Sequence, residues 1–437
     1  MAGQTTSSTG SLPRPFEFDR STLQQFLAFG FVPRADVEDP LSLLSAWSRK
    51  PVRQARKVSS SGLLREGVAA LRAAVEESAA AGGGGQHVVF LSGGLDSRTI
   101  LGGLLRLFGR SEVVAATFGL PGEQDYDLAA MVARRAGVRH ERLESFSVEW
   151  TTDGLVDSVL ARQVPLPSAF GQRYLSFLLH RRLGSENVFW DGLCGDVLAG
   201  KRTRTDVQEW TWQSAGEQFL VVNLHPEWRR VVSPDFDPHA SLPPSPFCPV
   251  EQMAYLDQLG LGLRQRCYVG TRLLRDYPTR TPFLTGPWLD FMLSLPWEYR
   301  LEQRMYREIQ RTAFPELFSL PTTALSGGAL TQTRLTRARR RLGGRARQAM
   351  GRAGLRRPAA RPAQRANDGI RASCRERGPL RELVRENVAD LAGRGLLDWL
   401  DVDAYVPAAA AGPDADDWLT RRLLNLELNL KAADRRG

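Results

Sequence analysis

The chain is poor in cysteine. Cys194, Cys248, Cys267 and Cys374 are the four in 437 residues. They form no Cys-x-x-Cys pair and have no metal-ligand spacing, so structural thiols are expected rather than disulfides or zinc. No apolar run reaches the roughly 18 residues of a membrane-spanning helix, and no membrane span is expected. The stretch from Met1 to Pro15 is rich in Ser, Thr and Gly and has no signal-peptide core, which points to the cytoplasm.

Acidic residues are missing from one long segment. Arg334 to Arg365 holds twelve arginines and no Asp or Glu. The whole chain carries a net charge of +10, so the remainder is slightly acidic and the basicity belongs to that segment. Aromatic residues are absent from it too, which removes the stacking surfaces that RNA reading needs, and nucleic acid is not expected as a partner. A solvated, disordered insert over residues 331–368 is the reading adopted. Contact with RNA, an anionic membrane surface or an acidic partner is the alternative. With 42% hydrophobic residues, the rest can build two or three domains with large cores.

One stretch organises the chain. Val88-Val89-Phe90-Leu91 runs into Ser92-Gly93-Gly94-Leu95-Asp96-Ser97-Arg98, and Ile100, Leu101, Leu104 and Leu105 follow at helical spacing. That pattern predicts a buried parallel strand, a tight turn and a helix N-terminus. Such a turn offers consecutive amides and the positive end of a helix dipole to an anion, usually phosphate. Gly93 and Gly94 admit close approach, and Ser92 and Ser97 add hydroxyls. Asp96 would repel a polyphosphate unless a divalent cation lay between them, so it predicts Mg²⁺. The string is neither a Gly-Lys-Ser/Thr phosphate loop nor a Gly-x-Gly-x-x-Gly dinucleotide turn.

Around it strands and helices alternate. Ser61 to Ala80 reads as a helix stopped by Gly82 to Gly85. Val113 to Phe118, Val138 to Leu143 and Asn187 to Trp190 read as strands, and Asp125 to Ala136 and Gln172 to Arg182 as helices. This order predicts an α/β fold with a doubly wound parallel sheet. Ligands of such sheets bind beyond the carboxyl ends of strands, where Thr117 and Phe118 would lie. Leu261 to Asp276 reads as a helix, and the proline-rich residues 203–250 as a loop-rich insertion over the site. Helices are expected again from Arg381 and from Asp414 to Lys431. The last is apolar all round and should dock on the body or on a partner subunit.

The string Ser92–Ser97 resembles the pyrophosphate loop of the N-type ATP pyrophosphatases, and in its full form the synthetase domain of asparagine synthetases. Asp191-Gly192-Leu193-Cys194-Gly195-Asp196 resembles that family's second loop, Arg280-Thr281-Pro282-Phe283-Leu284 its Arg-x-Pro-Phe-Leu segment, and Tyr306-Arg307 the position of its phosphate-contacting lysine. The resemblance implies a sheet of the adenine-nucleotide alpha-hydrolase type, flanked by helices and followed by a helical C-terminal region. It implies ATP held by Leu91, Ser92, Gly93, Gly94, Leu95, Asp96, Ser97, Arg98, Thr117, Phe118 and Gly192, with Mg²⁺ on Asp96 and Asp196. Arg307 would contact phosphates in place of the lysine. The family's base falls on Leu193, which can do no proton chemistry, and the glutamate after the aspartate on Val197. Asp191 is the candidate substitute.

The expected organisation is a disordered stretch at 1–20, a remnant linker at 21–60, an asparagine synthetase-like domain at 61–330, the basic insert at 331–368 and a helical region at 369–437. A glutaminase half is not expected, because nothing resembling it precedes the linker. The resemblance implies a ligase that adenylates a carboxylate, releases pyrophosphate and transfers the acyl group to an amine. A setting in specialised-metabolite or polysaccharide biosynthesis, as for β-lactam synthetases and lasso-peptide cyclases, is implied as well. Two alternatives stay open: a non-catalytic nucleotide-binding scaffold, and a tRNA-modifying ATP pyrophosphatase. A partner protein or a homodimer through the C-terminal helices would complete the assembly.

Overall fold

A computed structural model of the chain describes residues 18–33, 59–162, 164–200, 210–247, 249–250, 253–325, 378–407 and 417–436. The arginine run, Cys248, Cys374 and the expected disordered N-terminus up to residue 17 lie outside the described residues.

Five strands form one parallel sheet: β1 (His87–Phe90), β2 (Val113–Gly119), β3 (Arg139–Glu144), β4 (Val188–Trp190) and β5 (Thr279–Arg280). Their spatial order is β3-β2-β1-β4-β5, and every pairing is parallel. The chain builds outward from β1 to β3, then returns to the other side of β1 with β4. Val89 stands beside Ala115 on one neighbour and Trp190 on the other. The switch point of this doubly wound sheet therefore lies between β1 and β4, where a crevice opens at the carboxyl ends.

The central strands are mostly apolar, with His87 and Thr117 as the polar members, because both faces are covered. Val89, Ala115 and Trp190 enter one core layer, and Val88, Ala116 and Phe189 the other, as the two-residue period requires. Trp190 is fully buried, and burying a side chain of that size contributes roughly 2–3 kcal/mol.

The first layer is closed by α1 (Ser60–Ala80), α2 (Asp96–Leu107), α3 (Gly286–Ser294) and α4 (Arg304–Ala313). In α1 the Ser59 hydroxyl accepts the Gly62 amide at 3.1 Å, a side-chain cap that fixes where the helix starts. Gly67 lets α1 lie on α3 and α4, since a Cβ there would sit 2.3 Å from Ile309 Cδ1 and 2.7 Å from Phe291. The opposite layer includes Leu155 and Val156 of the helix Thr152–Leu160, with Leu175 and Phe177 of Tyr174–Leu183.

A second body of helices lies beside the sheet. Arg20–Phe29, Trp212–Asn223 and the terminal helix Asp417–Asp434 share a core of Leu23, Phe26, Phe219, Leu220, Leu419 and Leu423. The first part of the expected linker at 21–60 is therefore a packed helix, which ends at Phe29 and is closed by Gly30 at φ 81°, while residues 34–58 lie outside the described residues. The terminal helix docks on the body, where Leu424 and Leu428 also reach the layer beneath the sheet.

Two sequence expectations are corrected. The loop-rich insertion contains the helix Trp212–Asn223, which packs on the N- and C-terminal helices; no described residue between 210 and 250 lines the crevice at the switch point. The helix expected from Leu261 to Asp276 is a π turn at Gly260–Gln265 followed by Arg266–Gly270. The chain leaves it after Thr271, where Arg272 turns to a buried carboxylate and the Arg275 amide binds the Ala161 carbonyl.

Candidate active site

At the carboxyl end of β1 the turn is tied up by its own side chains. The Ser92 amide donates to Ser97 Oγ at 3.1 Å and the Gly94 amide to Ser92 Oγ at 3.2 Å. The Gly93 amide donates to Asp125 Oδ1 at 3.1 Å, and burial pushes that carboxyl above its ordinary range. Gly93 is required by crowding from the protein: a Cβ would lie 2.7 Å from Thr323 and 3.0 Å from Asp125. Gly94 is different, because a Cβ there would meet only Ser92 Oγ, at 3.2 Å, and its open side is the cleft. Helix α2 begins at Asp96 with no side-chain cap, so the amides of its first turn are presented where Leu95, Asp96 and Ser97 line the cleft.

The β4 loop is packed directly against this turn. A Cβ on Gly192 would lie 2.7 Å from Asp96 Cβ, and one on Gly195 2.8 Å from Asp96 Cγ. Glycine is the residue that fits at both. Cys194 between them takes a left-handed conformation at φ 64°, a strain that non-glycine residues adopt sparingly and that clusters at functional turns. Its thiol is pushed up to about 12, by burial first and then by the charges of Asp196, Asp191 and Asp96.

Asp96 is held from both sides. The Tyr306 hydroxyl donates to Oδ1 at 2.7 Å, and the Asp196 amide donates to Oδ2 at 3.2 Å. The Asp196 carbonyl accepts Gln303 Nε2 at 3.2 Å. Burial, followed by the Asp96 charge and this hydrogen bond, raises the Tyr306 phenol far above its usual value. It therefore stays a donor.

Asp96 lines a cleft of about 670 Å³ with Ser92, Gly94, Leu95, Ser97, Asp196, Glu302, Gln303, Arg307, Thr323 and Ala324, and Tyr306 stands behind it. Glu302 and Gln303 sit at φ 51° and 60°, two consecutive non-glycine residues in the left-handed region. Two carboxylates from adjacent loops are hard oxygen donors suited to Mg²⁺, which keeps waters and phosphate oxygens for its other positions. That division fits the protein, since among the described residues no cluster of three or more His, Cys, Asp or Glu makes a cage of its own.

The structure thus brings Ser92, Gly94, Leu95, Asp96, Ser97, Asp196 and Arg307 to one cleft, with Gly93 and Gly192 packed behind it. It does not bring Arg98, Thr117 or Asp191 there. Arg98 is fully buried and donates to the carbonyls of Leu317, Leu320, Pro321 and Gly93. It staples residues 317–321 to the loop. Thr117 donates to the Leu91 carbonyl at 2.9 Å and so accepts from His140 Nε2 at 2.9 Å. Phe118 packs between the layers on the far face, and Leu91 is buried, its amide bonded to Ala116. Asp191 is 8% exposed and forms an ion pair with Arg272, whose Nε and Nη2 reach Oδ2 at 2.9 and 2.6 Å. A carboxylate so engaged is a structural counterion. Leu193 is buried at 3% exposure and offers no base.

Sequence reasoning missed Tyr306, Glu302 and Gln303. The signal available for Tyr306 was its place beside Arg307, one residue before the lysine position.

No curated protein matches the chain. Among the described residues, no helix is long and apolar enough to cross a membrane. Residues 69–236 match the family model of asparagine synthase, a segment that contains both the β1 loop with Asp96 and the β4 loop with Asp196. That family uses ATP to form amide bonds, and the matched segment, residues 69–236, is asparagine synthetase-like.

Proposed function

We propose that the cleft binds ATP with Mg²⁺ and that the protein is an amide-forming ligase, activating a carboxylate as its adenylate and passing it to an amine. The observation that carries this reading is the adjacency of β1 and β4, which sets Asp96 and Asp196 on facing loops beside an uncapped helix N-terminus. The hydroxyls of Ser92 and Ser97 and the amides of Leu95 and the first turn of α2 would hold the phosphates, and Asp96 and Asp196 the cation. Mg²⁺ bound there would neutralise polyphosphate charge and favour departure of pyrophosphate. Arg307, on the cleft wall, supplies a fixed positive charge with bidentate geometry for the leaving pyrophosphate.

Leu193 removes the family's base, and Asp191 does not replace it. Of the acidic residues described in the cleft lining, Asp96 and Asp196 are the cation pair and Glu302 remains. We assign Glu302 the proton released when the amine attacks the acyl adenylate.

ATP–pyrophosphate exchange with purified protein and a panel of carboxylates tests the reading. Carboxylate-dependent exchange that disappears in Asp96→Ala is the expected result. A second reading, nucleotide binding without catalysis, is favoured by the buried Leu193. It predicts Mg²⁺-dependent ATP binding by calorimetry and no exchange with any carboxylate.

A further inference from the structure

A second cavity, of about 350 Å³, lies where the N-terminal, Trp212–Asn223 and C-terminal helices meet. Arg173, Arg264 and Arg422 line it with Phe29, Phe31, Tyr268 and Val222, and none of its described lining residues is acidic. It shares no described lining residue with the nucleotide cleft.

The charge around it is out of balance. Arg173 is 8% exposed and its guanidinium lies 4.9 Å over the Tyr268 ring. Burial lowers its pKa first, and the neighbouring Arg272 lowers it further. Arg162, also buried, feels both Arg173 and Arg272 and spends its donors on the carbonyls of Thr271, Ser158 and Arg173. The carboxylate acting on this group is Asp191, and it is committed to Arg272. Three guanidiniums, those of Arg162 and Arg173 buried and that of Arg272 half-buried, thus face one carboxylate. Burying cations without matching counterions is costly, and an anion entering from the cavity would offset that cost. The Tyr268 hydroxyl is drawn below its ordinary pKa by Arg272 and Arg173, which reports the same positive field.

The wall is also built to hold its shape. Arg173 ends a kinked segment, Ala169–Arg173, in which Phe170 is extended at ψ 104° and Gly171 takes φ 137°. The terminal helix clamps that segment: Asn425 Oδ1 accepts the Phe170 amide at 3.1 Å, and Asn429 bonds both the amide and the carbonyl of Leu166. The aromatic and apolar lining adds surface for an organic body.

We propose that this cavity is a second ligand site, binding the oxyanion head of a small organic molecule with an apolar body, a carboxylate or a phosphomonoester. It stands independently of the nucleotide reading.

Calorimetric titration of the full chain with benzoate and with phenyl phosphate, at constant ionic strength and saturating MgATP, tests it. Saturable binding of at least one probe is expected, and the tighter probe identifies the head group. Val222 is 54% exposed at the cavity, so Val222→Glu leaves the core intact while placing a competing charge there; affinity should fall about tenfold. Arg173→Gln should abolish binding, and if that variant does not fold, Val222→Glu decides alone. Asp96→Ala should bind the probes as wild type does. No saturable heat with either probe, or binding unchanged in Val222→Glu, overturns the site. Binding lost in Asp96→Ala and kept in Val222→Glu assigns the probes to the nucleotide cleft and also overturns it.

Discussion

The Tyr306 hydroxyl donates to Asp96 Oδ1 at 2.7 Å from a fully buried ring. The ring packs edge-on against Phe283 at 5.9 Å, and Phe283 in turn touches the Gly195 position of the β4 loop. One residue of α4 therefore fixes the carboxylate on the β1 loop and braces the loop beside it. Tyr306→Phe keeps the ring and removes the donor. A hydrogen bond to a charged group contributes about 1.5–3 kcal/mol, so Mg²⁺-dependent ATP affinity should fall about tenfold or more, with a lower melting temperature. Calorimetry with and without Mg²⁺ measures it. Wild-type affinity in the variant would show that Asp96 needs no such anchor.

Arg98→Leu separates a staple from a ligand contact. The guanidinium bonds carbonyls on both sides of the cleft base, and burial lowers its pKa to about 10. Leucine leaves those carbonyls without donors, at about 1–3 kcal/mol each where water cannot enter. The expected outcome is a melting temperature lower by several degrees, with ATP affinity unchanged in the folded protein. A variant that melts as wild type but binds ATP weakly would return Arg98 to the phosphate site.

The two loops were legible because local sequence carries them. Four apolar residues before Ser-Gly-Gly-Leu-Asp-Ser demand a buried strand and a turn, and the β4 loop repeats the logic with Gly192 and Gly195. What local sequence cannot carry is partner choice. Tyr306 is 210 positions from Asp96, and three of the four carbonyls held by Arg98 are 219 to 223 positions away. A charged residue after a glycine turn reads as a ligand contact until tertiary packing turns it inward. The strand β5 has two residues, too few for any period to show. The helix Trp212–Asn223 was hidden by the prolines that follow it. Leu261 to Asp276 has helical spacing throughout, but the Arg272–Asp191 pair overrides propensity after Thr271.

Glu302→Gln tests the proton acceptor. The amide keeps size and polarity at an exposed cleft position, so folding and Mg²⁺-dependent ATP binding should be unchanged. The acyl-transfer step should slow by about 10²-fold or more. The adenylation half-reaction, read by ATP–pyrophosphate exchange, should persist. Loss of exchange and transfer together would mean that Glu302 acts earlier, on phosphate or carboxylate.

His180 gives the fold a dependence on pH. It is 3% exposed among Phe90, Phe189 and Tyr277, with Nδ1 donating to the Ser176 carbonyl at 2.7 Å. Burial lowers its pKa to about 3, and Arg162 and Arg272 oppose protonation further. The folded value lies below the unfolded value of about 6.5, so the unfolded chain binds the extra proton between them. This contribution is complete above about pH 6.5 and is lost as pH falls from there toward 3, on the order of 4 kcal/mol in all. Denaturant midpoints measured at pH 7 and pH 5 should differ more in wild type than in His180→Gln. Equal differences would mean that the imidazole is solvated in the folded state.

Asp191→Asn decides between two roles for a carboxylate that lies one residue from the β4 loop glycine. As a catalytic base, Asp191 would be expected to face the cleft and to tolerate amidation without loss of stability. The structure instead commits Oδ2 to Nε and Nη2 of Arg272 in a pair whose guanidinium is half-buried. Neutralising one partner leaves that cation uncompensated, at up to about 3–5 kcal/mol. Here the effect should be at the upper end, because Arg162 and Arg173 already crowd Arg272 with like charge. The double variant Asp191→Asn/Arg272→Met should recover much of that loss, since it removes the stranded charge, whereas it could not restore a missing base. Melting temperatures and exchange rates on the two single variants and the double variant settle the matter. Recovery of stability together with exchange would establish Asp191 as the counterion of the arginine group, and recovery of stability without exchange would give it a second duty at the cleft.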